Sequence, residues 1–191
     1  MVKVLTYSYV QQLKDEQVME MFKTSATLQL PPKVPGKFFF SRIFGETLLD
    51  KDSKLVDTKE LLEGKYVGLY FGDFTKNCIK YQSKLLNLQN LIRKKHQFEI
   101  AYVSCDLTEE IFNENRKNNP FYMIEFAKKD VRVSLSRKFK IKRIPGFVLF
   151  DSVGKVLTNN IEWIFYYKNV DHFPWVGEYE REQNDQNCII N

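Results

Sequence analysis

From Thr47 onward, apolar and polar positions fall into short, sharply bounded runs, and each run predicts an element. "TLLDKDSKLVD" sets two apolar runs around a polar centre, Asp50 to Ser53, and predicts a hairpin. "DTKELLEG" predicts a short helix opened by Asp57 or Thr58 and closed by Gly64. Tyr66 to Phe71 is an unbroken apolar run, the pattern of a buried strand. In Cys78 to Lys95, Leu85, Leu88 and Ile92 recur at helical spacing, with Tyr81 and Lys94-Lys95 near the ends. "FEIAYVSCD" is apolar on both faces, as a central parallel strand must be. Asp106 is expected to cap the following helix, with Glu109 completing a capping box. Asp130 is expected to open another helix with Val131, Leu135 and Phe139 on one face. "GFVLFDSVGKVLT" predicts a closing hairpin turned by Ser152-Val153-Gly154. The order β-β-α-β-α-β-α-α-β-β predicts an α/β fold, a sheet with helices on both faces.

Residues 1–45 break this regularity and read as an N-terminal extension or arm. A mixed stretch over Val10 to Phe22 is compatible with a helix. It leads into "TLQLPPKVPGKFFF", whose prolines and glycine forbid a regular element. Phe38, Phe39 and Phe40 would be costly in water, so they should cover the domain or a partner and are candidate partner-binding residues. The domain proper is expected over 46–175, followed by an acidic polar tail, 176–191.

Composition narrows the class. At 191 residues and 43% hydrophobic, with 16 Phe and 10 Tyr, the chain is expected to form one soluble globular domain. The opening residues lack a secretory signal pattern, which points to the cytoplasm or nucleus. Cys78, Cys105 and Cys188 are then expected to be reduced, and with two histidines they match no familiar zinc spacing. No cofactor is implied. The net charge of +5 is uneven: residues 1–45 hold six Lys/Arg against three Asp/Glu, whereas 176–191 hold one Arg against four acids. A basic body favours an acidic partner, and no RNA-binding motif accompanies it, so nucleic acid is not expected.

Four segments carry a family resemblance: "GKYVGLYFG", "FEIAYVSCDLTEE", "KFKIKRIPGFVLFDSVGKVL" and "FPW" at 173–175. In that order and spacing the sequence resembles the thioredoxin-like fold, in its tryparedoxin and nucleoredoxin branch, across Leu48 to Trp175. The resemblance implies a central mixed sheet flanked by helices, and a cis-proline at Pro145. Active members present Trp-Cys-x-x-Cys at a strand-to-helix turn, where the first cysteine attacks a disulfide and the second resolves it. Here the turn reads Phe74, Thr75, Lys76, Asn77, Cys78 and looks one residue short. Cys78 aligns with the resolving cysteine, Thr75 with the nucleophile and Phe74 with the tryptophan.

A threonine hydroxyl cannot perform thiol exchange, so the expected function is a non-catalytic binding or structural module. The Lys/Asn/Phe/Tyr-rich composition and degenerate turn resemble the thioredoxin-like proteins that apicomplexan parasites attach to subpellicular microtubules. That likeness implies tubulin or another microtubule-associated protein as partner, and a cytoskeletal location. The alternative is a single-cysteine oxidoreductase or redox sensor using Cys78, with or without Cys105. Pro145 could offer a docking turn, and Arg137, Lys138, Lys140, Lys142 and Arg143 form the densest basic patch. The final "CIIN" satisfies a prenylation pattern at Cys188, although the preceding acidic residues supply no basic second signal, so membrane attachment is not expected without that lipid. His96 and His172 are read as surface or packing residues.

Overall fold

The computed structural model describes residues 38–159 and 170–175. The stretch over Val10 to Phe22, the acidic tail and Cys188 lie outside the described residues. At the centre, β3 (Tyr66–Gly72) and β4 (Phe98–Ser104) pair in parallel from Tyr66↔Phe98 to Gly72↔Ser104. β6 (Gly146–Phe150) runs antiparallel on the other side of β3, and β7 (Val156–Thr158) completes the closing hairpin. The first hairpin, β1 (Thr47–Leu49) and β2 (Leu55–Asp57), joins this group through β5 (Tyr122–Met123), which is parallel to β4 and antiparallel to β1. The sheet order is β2-β1-β5-β4-β3-β6-β7.

Strand periodicity sorts the core into two layers. Val67, Leu69 and Phe71 of β3, Ala101 and Val103 of β4, and Val148 and Phe150 of β6 enter one apolar cluster. Tyr70, Ile100, Tyr102, Phe147 and Leu149 enter the other, because successive side chains leave opposite faces. Two helices cover the second face, α3 (Lys76–Ile92) through Leu85, Leu88 and Ile92, and α4 (Glu109–Asn118) through Phe112. On the first face lie α1 (Phe39–Phe44), α2 (Thr58–Leu62) and α5 (Lys129–Lys138), with Phe139 just beyond α5 packed against the same cluster. Asp57 caps α2 by accepting from the Glu60 N–H at 3.0 Å, and Gly64 beyond it takes φ +78°.

Three expectations need correcting. The boundary at residue 46 falls too late, because α1 lies inside the stretch read as an arm. Its Phe39, Phe40, Ile43 and Phe44 are 0–3% exposed, and Ser41 ties it to α2 by donating from its N–H and Oγ to Glu63 Oε1, both at 3.0 Å. Phe39 and Phe40 are therefore core residues and not partner-binding ones; the Phe40 ring packs edge-on to Phe150 at 5.9 Å. Only Phe38, at 38% exposure, reaches the surface, beneath the Lys59 ammonium. Finally, Asp106 does not cap α4. Thr108 does, accepting from the Ile111 N–H at 3.3 Å, and Asp106 is used elsewhere.

Candidate functional site

The turn between β3 and α3 is built on two buried carboxylates. Asp73, 4% exposed, accepts from Thr75 Oγ1 at 2.6 Å and from the Thr75 N–H at 3.2 Å. Asp106, 2% exposed, reaches across from the end of β4. Its Oδ1 accepts the Phe74 N–H at 2.8 Å, and its Oδ2 accepts Ser104 Oγ at 2.8 Å and Asn115 Nδ2 at 2.7 Å. Asn115 also donates to the Tyr102 hydroxyl at 2.9 Å. Burial pushes the Asp106 carboxyl up, while the donations from Asn115, Ser104 and Phe74 pull it back. Beside it, buried Arg132 donates to the carbonyls of Ser104 and Phe126, both at 2.9 Å, with its guanidinium over the Phe126 ring.

On this base Thr75 takes extended backbone, φ −101° and ψ 156°, and becomes the N-cap of α3. Its Oγ1 accepts a long 3.5 Å hydrogen bond from the Cys78 N–H. Lys76 and Asn77 are exposed, and Phe74 is half-buried. Cys78 faces inward at 1% exposure, and burial pushes its thiol up to about 11. The Tyr70 hydroxyl closes the floor by donating to the Cys78 carbonyl at 2.9 Å. Cys105, also buried and free, has its thiol raised further by burial, and its N–H donates to the Gly72 carbonyl at 2.7 Å.

The register Phe71↔Gly146 sets the Ile144–Pro145 peptide bond, which is cis, next to the end of β3 where the turn begins. The basic residues just before it divide. Lys140, Lys142 and Arg143 are exposed, but Arg137 and Lys138 are half-buried, with Lys138 Nζ 5.7 Å from the Phe39 ring. His96 packs on Tyr66 and Phe173. No group of His, Cys, Asp and Glu among the described residues could hold a metal ion.

Residues 64–156 match the thioredoxin-like family model. The chain carries a thioredoxin-like domain of the tryparedoxin and nucleoredoxin branch. It is 30% identical over 136 residues to probable nucleoredoxin 1 of Arabidopsis thaliana, covering 71% of this chain and 23% of that protein. With nucleoredoxin of Xenopus laevis it shares 28% over 156 residues, 78% of this chain and 37% of the relative. It thus spans well under half the length of these relatives. Native tryparedoxin I of Crithidia fasciculata superposes with a TM-score of 0.62 at 25% identity, covering 69% of this chain and 92% of the other. Tryparedoxin I of Leishmania major does so with the same score and identity, over 70% and 95%.

This likeness ties the thioredoxin-like domain to a redox-related family. The N-cap of α3 is where backbone N–H groups and the helix dipole would stabilise a thiolate, and a hydroxyl bonded to Asp73 occupies it. The reading of the sequence did not find the roles of Asp73, Asp106, Asn115 and Arg132. One signal was available: Asp73 stands one residue, and Asp106 two residues, beyond the ends of two adjacent strands.

Proposed function

We propose that this thioredoxin-like domain has lost thiol-disulfide exchange and serves as a binding or structural module. One observation carries the reading. The N-cap position that would launch the attack holds Thr75, and the turn's lone cysteine is 1% exposed with its thiol near 11. The partner class we favour is cytoskeletal, tubulin or another microtubule-associated protein, on the strength of the composition and degenerate turn. The test is insulin-disulfide reduction beside Thr75→Cys and an active tryparedoxin. The natural protein should be inert. The variant, with a thiol at a helix N-terminus, should gain activity on the order of tenfold or more over background. Reduction of insulin by the natural protein overturns the proposal, and failure to co-sediment with microtubules removes the cytoskeletal partner.

A second reading, a single-cysteine redox sensor, is favoured by the place of Cys78 in the first turn of α3 within a redox-related fold. It requires a thiol that alkylates in the folded protein near neutral pH.

A further inference from the structure

Helix α3 exposes a face whose charges oppose its own folding. Residues 74–98 contain six Lys/Arg and no Asp/Glu. Lys76, Lys80 and Lys84 stand four apart, so they line one side of the helix, and Lys94 continues the row just past its end; all four are exposed. Between them lie exposed Ser83, Asn87 and Asn90, and two exposed apolar side chains, Ile79 at 38% and Leu91 at 44%. Among the described residues no carboxylate pairs with Lys76, Lys80 or Lys94, whereas neighbouring Arg93 and Lys95 are paired with Glu99 and Asp171.

Two rules oppose this arrangement. Like charges four apart on a helix repel, and cations in the first turns face the positive end of the helix dipole. No acid in the first turn of α3 offsets them. Helix α4 of the same molecule obeys both rules, with Glu109 and Glu110 in its first turn and Arg116 and Lys117 in its last. A local rule broken at a cost to folding marks a surface shaped by something outside the fold.

We propose that the outward face of α3 docks an acidic polypeptide segment of a partner protein. From Lys76 to Leu91 the face runs roughly 22 Å at the rise of an α-helix, the reach of about seven extended residues. Carboxylates along such a segment would meet the lysines, its backbone the Ser and Asn side chains, and its apolar atoms Ile79 and Leu91. No exposed aromatic side chain lies among the cations to stack bases. Two apolar residues twelve positions apart are too few to seat the helix in a lipid surface. The inference rests on the reading of the domain as a binding module and names its partner's chemistry.

The test uses the full chain and a fluorescein-labelled octaglutamate peptide, with anisotropy read at low and physiological salt. The double variant Lys76→Glu/Lys80→Glu is compared with Lys51→Glu/Lys54→Glu in the β1–β2 turn, which changes net charge equally. The first pair should weaken binding at least tenfold and the second less than twofold, and salt should weaken the natural protein's binding. Because the new acids fall at the favourable end of the helix, the first variant should melt no lower than the natural protein, so lost binding is not lost folding. Equal effects of the two pairs, or no binding, overturn the proposal. So does tighter, lysine-dependent binding to a single-stranded oligonucleotide or to phosphatidylserine vesicles. With natural protein inert toward insulin, those results remove the docking face alone; insulin reduction removes the binding-module reading beneath it.

Discussion

At Asp106, three donors from three separate places converge on one buried carboxylate: the Phe74 N–H, Ser104 Oγ and Asn115 Nδ2. Asp106→Ala would orphan them together and should cost about 2–4 kcal/mol, read by urea denaturation. The pH dependence has a definite sign. Because burial raises the Asp106 carboxyl in the folded state, the folded protein holds that proton more tightly than the unfolded chain. Its contribution is therefore fully present below the ordinary carboxylate range near pH 4, and is lost as pH rises through the raised value. The stability advantage of natural protein over Asp106→Asn should shrink as pH rises from about 4 toward 7; a constant difference would contradict the raised value. At Cys78, a thiol near 11 leaves on the order of one part in ten thousand as thiolate at pH 7. Iodoacetamide should label Cys78 slowly in the folded protein and at least ~100-fold faster in urea. Rapid labelling of native Cys78, read by peptide mass, would support the sensor.

Among the elements, α1 buries four of its six residues, Phe39, Phe40, Ile43 and Phe44. Phe40→Ala empties a fully buried site between Phe44 and Phe150 and should destabilise by about 3–5 kcal/mol, whereas Phe38→Ala, at the surface, should cost under about 1 kcal/mol. Thermal melts of the two variants would separate a core helix from a docking arm. The β6–β7 turn is fitted to this helix. Gly154 has φ +89°, and a Cβ there would lie 2.2 Å from the Phe39 ring, so Gly154→Ala should cost more than about 1 kcal/mol. The pattern of the chain could not show α1, because six residues are too few for helical periodicity, and the prolines before it suggest irregular chain. It could not show β5 either, a two-residue strand whose pairing with β4 and β1 is entirely long-range. Elements with a local signature of their own, such as β3, the hairpin over Thr47–Asp57 and α3, were legible to within a few residues.

For the molecule as a whole, the reach of the core sets where the domain begins. A chain starting at residue 46 would lack Phe39, Phe40, Ile43 and Phe44, whose burial amounts to about 10 kcal/mol, comparable to the whole stability of a domain this size. Such a chain should lose its near-ultraviolet circular dichroism and cooperative melting; a native-like melt would show the boundary at 46 to be adequate. By itself, the sequence determined the strands and helices with clear periodicity, their two-faced arrangement, the thioredoxin-like likeness, and a turn with one cysteine where the Trp-Cys-x-x-Cys pattern has two. These follow from neighbouring residues, whose period and turn chemistry are local. Only the tertiary structure decided that Phe39 and Phe40 enter the core, that Asp106 holds the Phe74 amide 32 residues away instead of capping α4, and that Cys78 is buried with its carbonyl held by the Tyr70 hydroxyl. Those outcomes depend on which distant side chains meet across the sheet, and burial and hydrogen-bond satisfaction settle that only once the chain has closed on itself.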